Sequence, residues 1–156
     1  MKRLLFGLFL GGLVALPAPT LASSVGYSTT AADSAAMAAP GAADAARRGF
    51  SVRFTAVTRD GRIRAVKRFR FNNVPMTCAQ GATTVDGGPL RAMRVRHRRF
   101  GRKSKSHGGN VTTRVRGTFI RHGRRARGFV KVTGDFAGAG LTDCNTGRAK
   151  WNVGRG

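Results

Sequence analysis

The chain has 156 residues, 29 Lys and Arg against six acids, a net charge of +23, and two cysteines. That length holds one modest domain and excludes a multidomain enzyme. All six acids are Asp, so paired-carboxylate chemistry has few candidates, while the basic excess directs attention to anionic partners.

The first expected element is a secretory signal over residues 1–22. Lys2 and Arg3 precede an apolar run from Leu4 to Leu16, Pro17 and Pro19 end it, and Thr20 and Ala22 supply small residues for cleavage. The run is shorter than the roughly 20 residues that a helical membrane span needs. A secreted or extracytoplasmic product without a transmembrane segment is expected. Residues 23–48 read as an Ala-rich flexible linker. Ten of these 26 residues are Ala, Asp33 and Asp44 cancel Arg47 and Arg48, and large apolar side chains are few, Tyr27 and Met37 among them.

The folded part is expected at 49–156, with 25 Lys and Arg against four Asp. Its pattern is β. Phe50, Val52, Phe54 and Ala56 alternate with polar residues, as in a strand with one buried face. Asp60-Gly61 marks a hairpin. The return strand is expected to put Ile63, Ala65, Phe69 and Phe71 inward, with Arg64, Arg68, Arg70 and Val66 on the other face. Asn72 to Pro75 is expected to end it. A weaker strand follows over Ala82 to Val85, ended by Asp86-Gly87-Gly88-Pro89. Leu90 to Phe100 reads as a further strand with Met93 and Val95 inward and Arg94, Arg96 and Arg98 outward. Gly101 to Gly109 reads as a polar loop. Asn110 to Ile120 alternates, with Val111, Thr113, Val115, Gly117 and Phe119 opposite Arg114 and Arg116. His122-Gly123 turns the chain. Arg125 to Thr133 returns with ambiguous parity, because Val130 and Val132 oppose Phe129. The last strand, Arg148 to Val153, has Ala149, Trp151 and Val153 inward.

Six or seven short strands at regular intervals, with no convincing helix, predict an all-β fold. The expected architecture is an antiparallel β-sandwich, with a small Greek-key barrel of the OB type as the alternative. Strand order is not readable. Cys78 and Cys144 are the only cysteines, and in an exported chain an even pair predicts one disulfide. It would tie the segment after the second strand to the entry of the last.

The segments Val74 to Gly81 and Cys144 to Trp151, with Arg116 to Phe119 and Ala126 to Phe129 between them, resemble a group of small secreted bacterial β-sandwich proteins. The shared features are a Cys pair, a Gly-bearing hairpin and a terminal C-x-T-G-x3-W motif. The resemblance implies the fold and the disulfide over most of Phe50 to Val153. It carries over no functional residue.

Catalytic chemistry finds little support. His97, His107 and His122 are not at metal-ligand spacing, and both cysteines are accounted for, so no metal site or cofactor is expected. Asp60 and Asp86 sit in Gly turns. Asp135 and Asp143 flank a Gly-Ala loop, and no serine stands in a nucleophile elbow. The expectation is a protein without catalytic activity and with no catalytic residue. An extracellular hydrolase or inhibitor, using Asp135, Asp143 or His107 in a cleft, is the distant alternative.

The positive charge remains. Strand phase places Arg64, Arg68, Arg70, Arg94, Arg96, Arg98, Arg114 and Arg116 on solvent faces, and Arg99, Arg102, Lys103 and Lys105 in or beside the polar loop. These twelve residues form the candidate polyanion-binding set. Partners would be wall phosphates, acidic polysaccharide, nucleic acid read without sequence specificity, or a membrane surface. The competing reading is an inert extracellular structural protein, whose arginines only solubilise strands and blunt sheet edges.

Overall fold

The computed structural model describes residues 22–29, 49–106 and 110–156; the expected signal run, residues 30–48 and His107 lie outside them. The described residues form ten antiparallel strands: β1 Ser23–Ser28, β2 Ser51–Arg59, β3 Arg62–Cys78, β4 Gly81–Leu90, β5 Met93–Arg94, β6 Arg99–Lys105, β7 Thr112–Ile120, β8 Arg125–Phe136, β9 Leu141–Asn145 and β10 Ala149–Arg155. The all-β antiparallel fold with one disulfide is as expected.

All ten strands belong to one hydrogen-bonded sheet. Its ladders return on themselves. β10 pairs with β1, β1 with β2, β2 with β3, and β3 with β5. Arg96 and Arg99 then exchange both backbone hydrogen bonds, at 2.9 and 2.8 Å, and carry the ladder into β6. β6 pairs with β7, β7 with β8, and β8 with β10. The walls that a sandwich would place in two sheets are thus continuous, and closure leaves few free edges to protect.

The closed sheet encloses one main core. Phe54 stands in its middle, with the rings of Tyr27, Phe69, Phe100, Phe119 and Trp151 at centroid distances of 5.0–6.1 Å. Offset and edge contacts of this kind add to the apolar burial that drives closure.

Bulges correct the expected phase of β3. Val57 pairs with Ala65 but Thr58 with Ile63, which leaves Arg64 extra; Arg53 pairs with Arg70 but Thr55 with Lys67, which inserts a second extra residue. Each insertion flips the inward face. The buried residues are therefore Val66, Phe69 and Phe71, with Ile63 packed against them, and Ala65 is not on their face. Arg68 takes the left-handed conformation, φ +53°, that such a bulge requires.

A third irregularity replaces the expected strand end. Asn73, at φ +54°, bulges between the Phe71–Gly87 and Val74–Val85 pairs, and its N–H donates to Asp86 Oδ1 at 2.6 Å. β3 then continues to Cys78. β4 likewise runs through Asp86-Gly87-Gly88-Pro89, because Gly87 serves packing: a Cβ there would lie 2.2 Å from the Phe71 ring.

Three further expectations are corrected. Leu90 to Phe100 is not one strand, since His97 and Arg98, at φ +47° and +64°, make a hairpin turn between β5 and β6. Gly101 to Lys105 is not a loop, since it pairs with β7 throughout as part of β6. Ser23–Ser28 is not linker, since it forms β1 between β2 and β10; Tyr27 is in the core, and its hydroxyl donates to the Gly123 carbonyl.

Cys78 and Cys144 form the disulfide across 66 residues of sequence. With Met76 they make a second, small core. The bridge joins the end of β3 to β9 rather than to the entry of the last strand, beside the Thr77–Asn145 pair.

Candidate polyanion-binding face

The register of β6, β7, β8 and β10 lines up an inner and an outer set of residues. Inside, Phe100 pairs with Gly117, Gly117 with Gly128, and Gly128 with Trp151. The two glycines make room for the two rings. A Cβ on Gly117 would lie 2.3 Å from the Phe100 ring, and one on Gly128 would lie 2.5 Å from the Trp151 ring and 2.0 Å from the Arg116 carbonyl oxygen.

The neighbouring positions point outward and fall into rows. One row is Arg99, Thr118, Arg127 and Asn152. The next is Gly101, Arg116, Phe129 and Lys150. A third is Lys103, Arg114 and Lys131. Strands lie about 4.8 Å apart and alternate residues about 6.6 Å apart, so the rows form a grid of cations.

The grid is not flat. A concavity of about 700 Å³ lies over Gly117 and Gly128, walled by Arg99, Arg116, Arg127, Phe129, Arg148 and Lys150. The Arg148 guanidinium stands over the Phe129 ring, 5.4 Å from its centroid. Asn152 Oδ1, on the same lining, is buried without a hydrogen-bond partner. A second concavity of about 510 Å³ adjoins it, sharing Arg99, Phe100 and Arg116, and reaches Arg94, Arg96, Arg102, Lys103 and Arg114. Ten Lys and Arg line the two concavities, and no acid does.

The expected site residues divide accordingly. Arg94, Arg96, Arg99, Lys103, Arg114 and Arg116 come together on this face. Arg102 occupies an inward position of β6; it is half-buried, edges the second concavity and donates from Nη1 to the Ala92 carbonyl at 3.5 Å. Arg98 stands at the hairpin tip, and Lys105 lies at the far end of β6 opposite Thr112. Arg64, Arg68 and Arg70 are on β3 and line neither concavity, although Arg64 is next to β5, its carbonyl accepting the Val95 N–H at 2.8 Å. There Arg64 approaches Asp60 at 3.8 Å, a half-exposed pair worth little, and Arg70 stands opposite Arg53.

Five members of the face were not in the candidate set: Arg127, Phe129, Lys131, Arg148 and Lys150. The signal was the parity of β8. Ala126, Val130 and Val132 are buried, so Arg127, Phe129 and Lys131 must face out.

Of the catalytic alternative, His107 lies outside the described residues, and the Asp135 carboxylate has a structural partner. Asp135 Oδ1 accepts the Asp143 backbone N–H at 2.8 Å, which holds the left-handed Asp143, φ +52°, in the middle of β9. Among the described residues no group of three or more His, Cys, Asp or Glu converges as a metal site, and no helix is long and apolar enough to cross a membrane. No family model, curated protein or solved structure matches the chain.

Proposed function

We propose that this protein binds anionic polymers or surfaces, outside the cytoplasm and without catalysis, through the outer face of β5, β6, β7, β8 and β10. The observation that carries the reading is the alignment of ten Lys and Arg around two adjoining concavities that contain no acid. Planar guanidinium groups grip phosphate or carboxylate oxygens in pairs, and five of the walls around the concavity of about 700 Å³ are cationic. Like charges held this close repel one another, and a bound polyanion relieves that repulsion. The disulfide, the Lys2-Arg3 pair followed by the apolar run Leu4 to Leu16, and the resemblance to small secreted β proteins support an extracytoplasmic setting.

Polyphosphate binding measured against salt tests the proposal. Affinity should fall linearly on a log–log scale, by about 0.7 for each phosphate neutralised, as for single-stranded polyanions. An absence of binding at low salt refutes it, and favours charge that only solubilises the sheet.

A further inference from the structure

We infer that the polymer this face takes is single-stranded nucleic acid, with one base seated on Phe129 and the flanking phosphates on the surrounding arginines. The inference rests on the polyanion-binding reading and sharpens it to a ligand class.

Phe129 is the starting point. It is an apolar ring at an outward, half-buried position in the middle row of a cationic grid. An outward Phe gains no core contact, and on its strand the inward positions are already filled by Ala126, Val130 and Val132. Arg116 on β7 and Lys150 on β10 flank it directly across the sheet. The concavity beside it is floored by Gly117 and Gly128, which offer bare backbone and no side chain to obstruct a flat group. An apolar floor, an aromatic wall and a cationic rim suit a planar ring that carries a phosphodiester on either side.

Two details agree with this choice. Arg148 already stacks over Phe129 at 5.4 Å and is itself exposed, so a base can enter by moving that side chain outward without disturbing any buried group. Asn152 Oδ1 is a buried acceptor without a partner on the same lining, able to receive an exocyclic amine or ring N–H. An acidic polysaccharide supplies the negative charges but no aromatic face for Phe129. A duplex hides its bases, and among the described residues no α-helix is present to enter a groove, only two three-residue 3-10 turns. The neighbouring concavity, lined by Arg94, Arg96, Lys103 and Arg114, extends the track for a strand longer than one nucleotide.

The test uses the oxidised protein with fluorescent oligo(dT), inorganic polyphosphate and heparin at low salt. Phe129→Ala should weaken oligo(dT) binding about tenfold, the scale of one base–aromatic stack, and weaken polyphosphate binding much less. Phe129→Trp should restore oligo(dT) binding, which separates loss of the ring from loss of the fold. Arg116→Gln should weaken both ligands. The inference is overturned if Phe129→Ala affects neither ligand or both equally, or if heparin binds more tightly than oligo(dT) with the same dependence on Phe129. Binding of polyphosphate without oligo(dT) overturns the nucleic-acid assignment alone. Binding of none of the three overturns the polyanion reading with it.

Discussion

Arg116 and Phe129 are direct cross-strand partners on the outer face of β7 and β8. The pair sets a guanidinium beside an aromatic ring in the wall of the concavity of about 700 Å³. It exists because the next pair along, Gly117 and Gly128, faces inward and holds the register over Phe100 and Trp151. The face and the core are two sides of one packing solution.

Gly128 should therefore tolerate no side chain. In Gly128→Ala the new methyl would sit 2.0 Å from the Arg116 carbonyl oxygen and 2.5 Å from Trp151, and the oxygen is backbone that cannot step aside cheaply. Overpacking of this kind costs about 1–3 kcal/mol. Urea denaturation should register the loss, and weaker polyanion binding should accompany it as the floor of the concavity shifts. An alanine variant as stable as the parent would mean that the two strands separate more readily than their register implies.

Reduction of the Cys78–Cys144 disulfide should lower the melting temperature. The bridge closes a loop of 66 residues, and the chain-entropy model assigns such a loop about 4 kcal/mol. The oxidised protein should carry no titratable thiol. The small core of Met76 and the two cysteines should loosen first on reduction, because it holds both bridged residues and meets the aromatic core only through the partly buried Val85 and Phe136. Hydrogen exchange at β9 and the end of β3 would reveal that order.

Tyr27 gives the fold a pH dependence at the alkaline end. Burial pushes its phenol above the ordinary 10.0, and the Arg155 charge opposes part of that rise. The folded state thus holds the phenolic proton more tightly than the unfolded chain does. Its contribution is complete below pH 10.0 and is lost as pH rises beyond that value. Tyr27→Phe removes the hydrogen bond to the Gly123 carbonyl and should cost about 1 kcal/mol at neutral pH. The gap between variant and parent should narrow above pH 10.0. An unchanged gap there would show that Tyr27 does not titrate with unfolding.

The β class, the disulfide and the inward faces of β2, β7 and β10 are legible in the sequence, because period-two alternation survives in each. β3 is not, because its bulges at Arg64, Arg68 and Asn73 change the period from two to three, and no local residue announces them. β1 is hidden by its composition: Val25 and Tyr27 alone mark the strand in an Ser- and Gly-rich stretch. The glycines at 87 and 88 read as a turn although Gly87 serves to admit the Phe71 ring. The candidate site was half legible for a related reason. Strand phase says which arginines face out, but only strand order says which strands are neighbours. Arg68 and Arg70 therefore part from Arg114 and Arg116, and Arg64, though beside β5, lines neither concavity, while Arg127 and Lys150 join the face.

The central claim is that the charge works as a located face and not as a diffuse excess. Two variants of equal charge test it most directly. One replaces Arg99, Arg116, Arg127 and Lys150, on the concave face, with Gln. The other replaces Arg53, Arg62, Lys67 and Arg70, on the β2–β3 wall, with Gln. Polyphosphate binding should fall at least tenfold in the first variant, with the salt slope reduced by about 3, and should change little in the second. Equal losses in both variants, or none in either, would contradict the account.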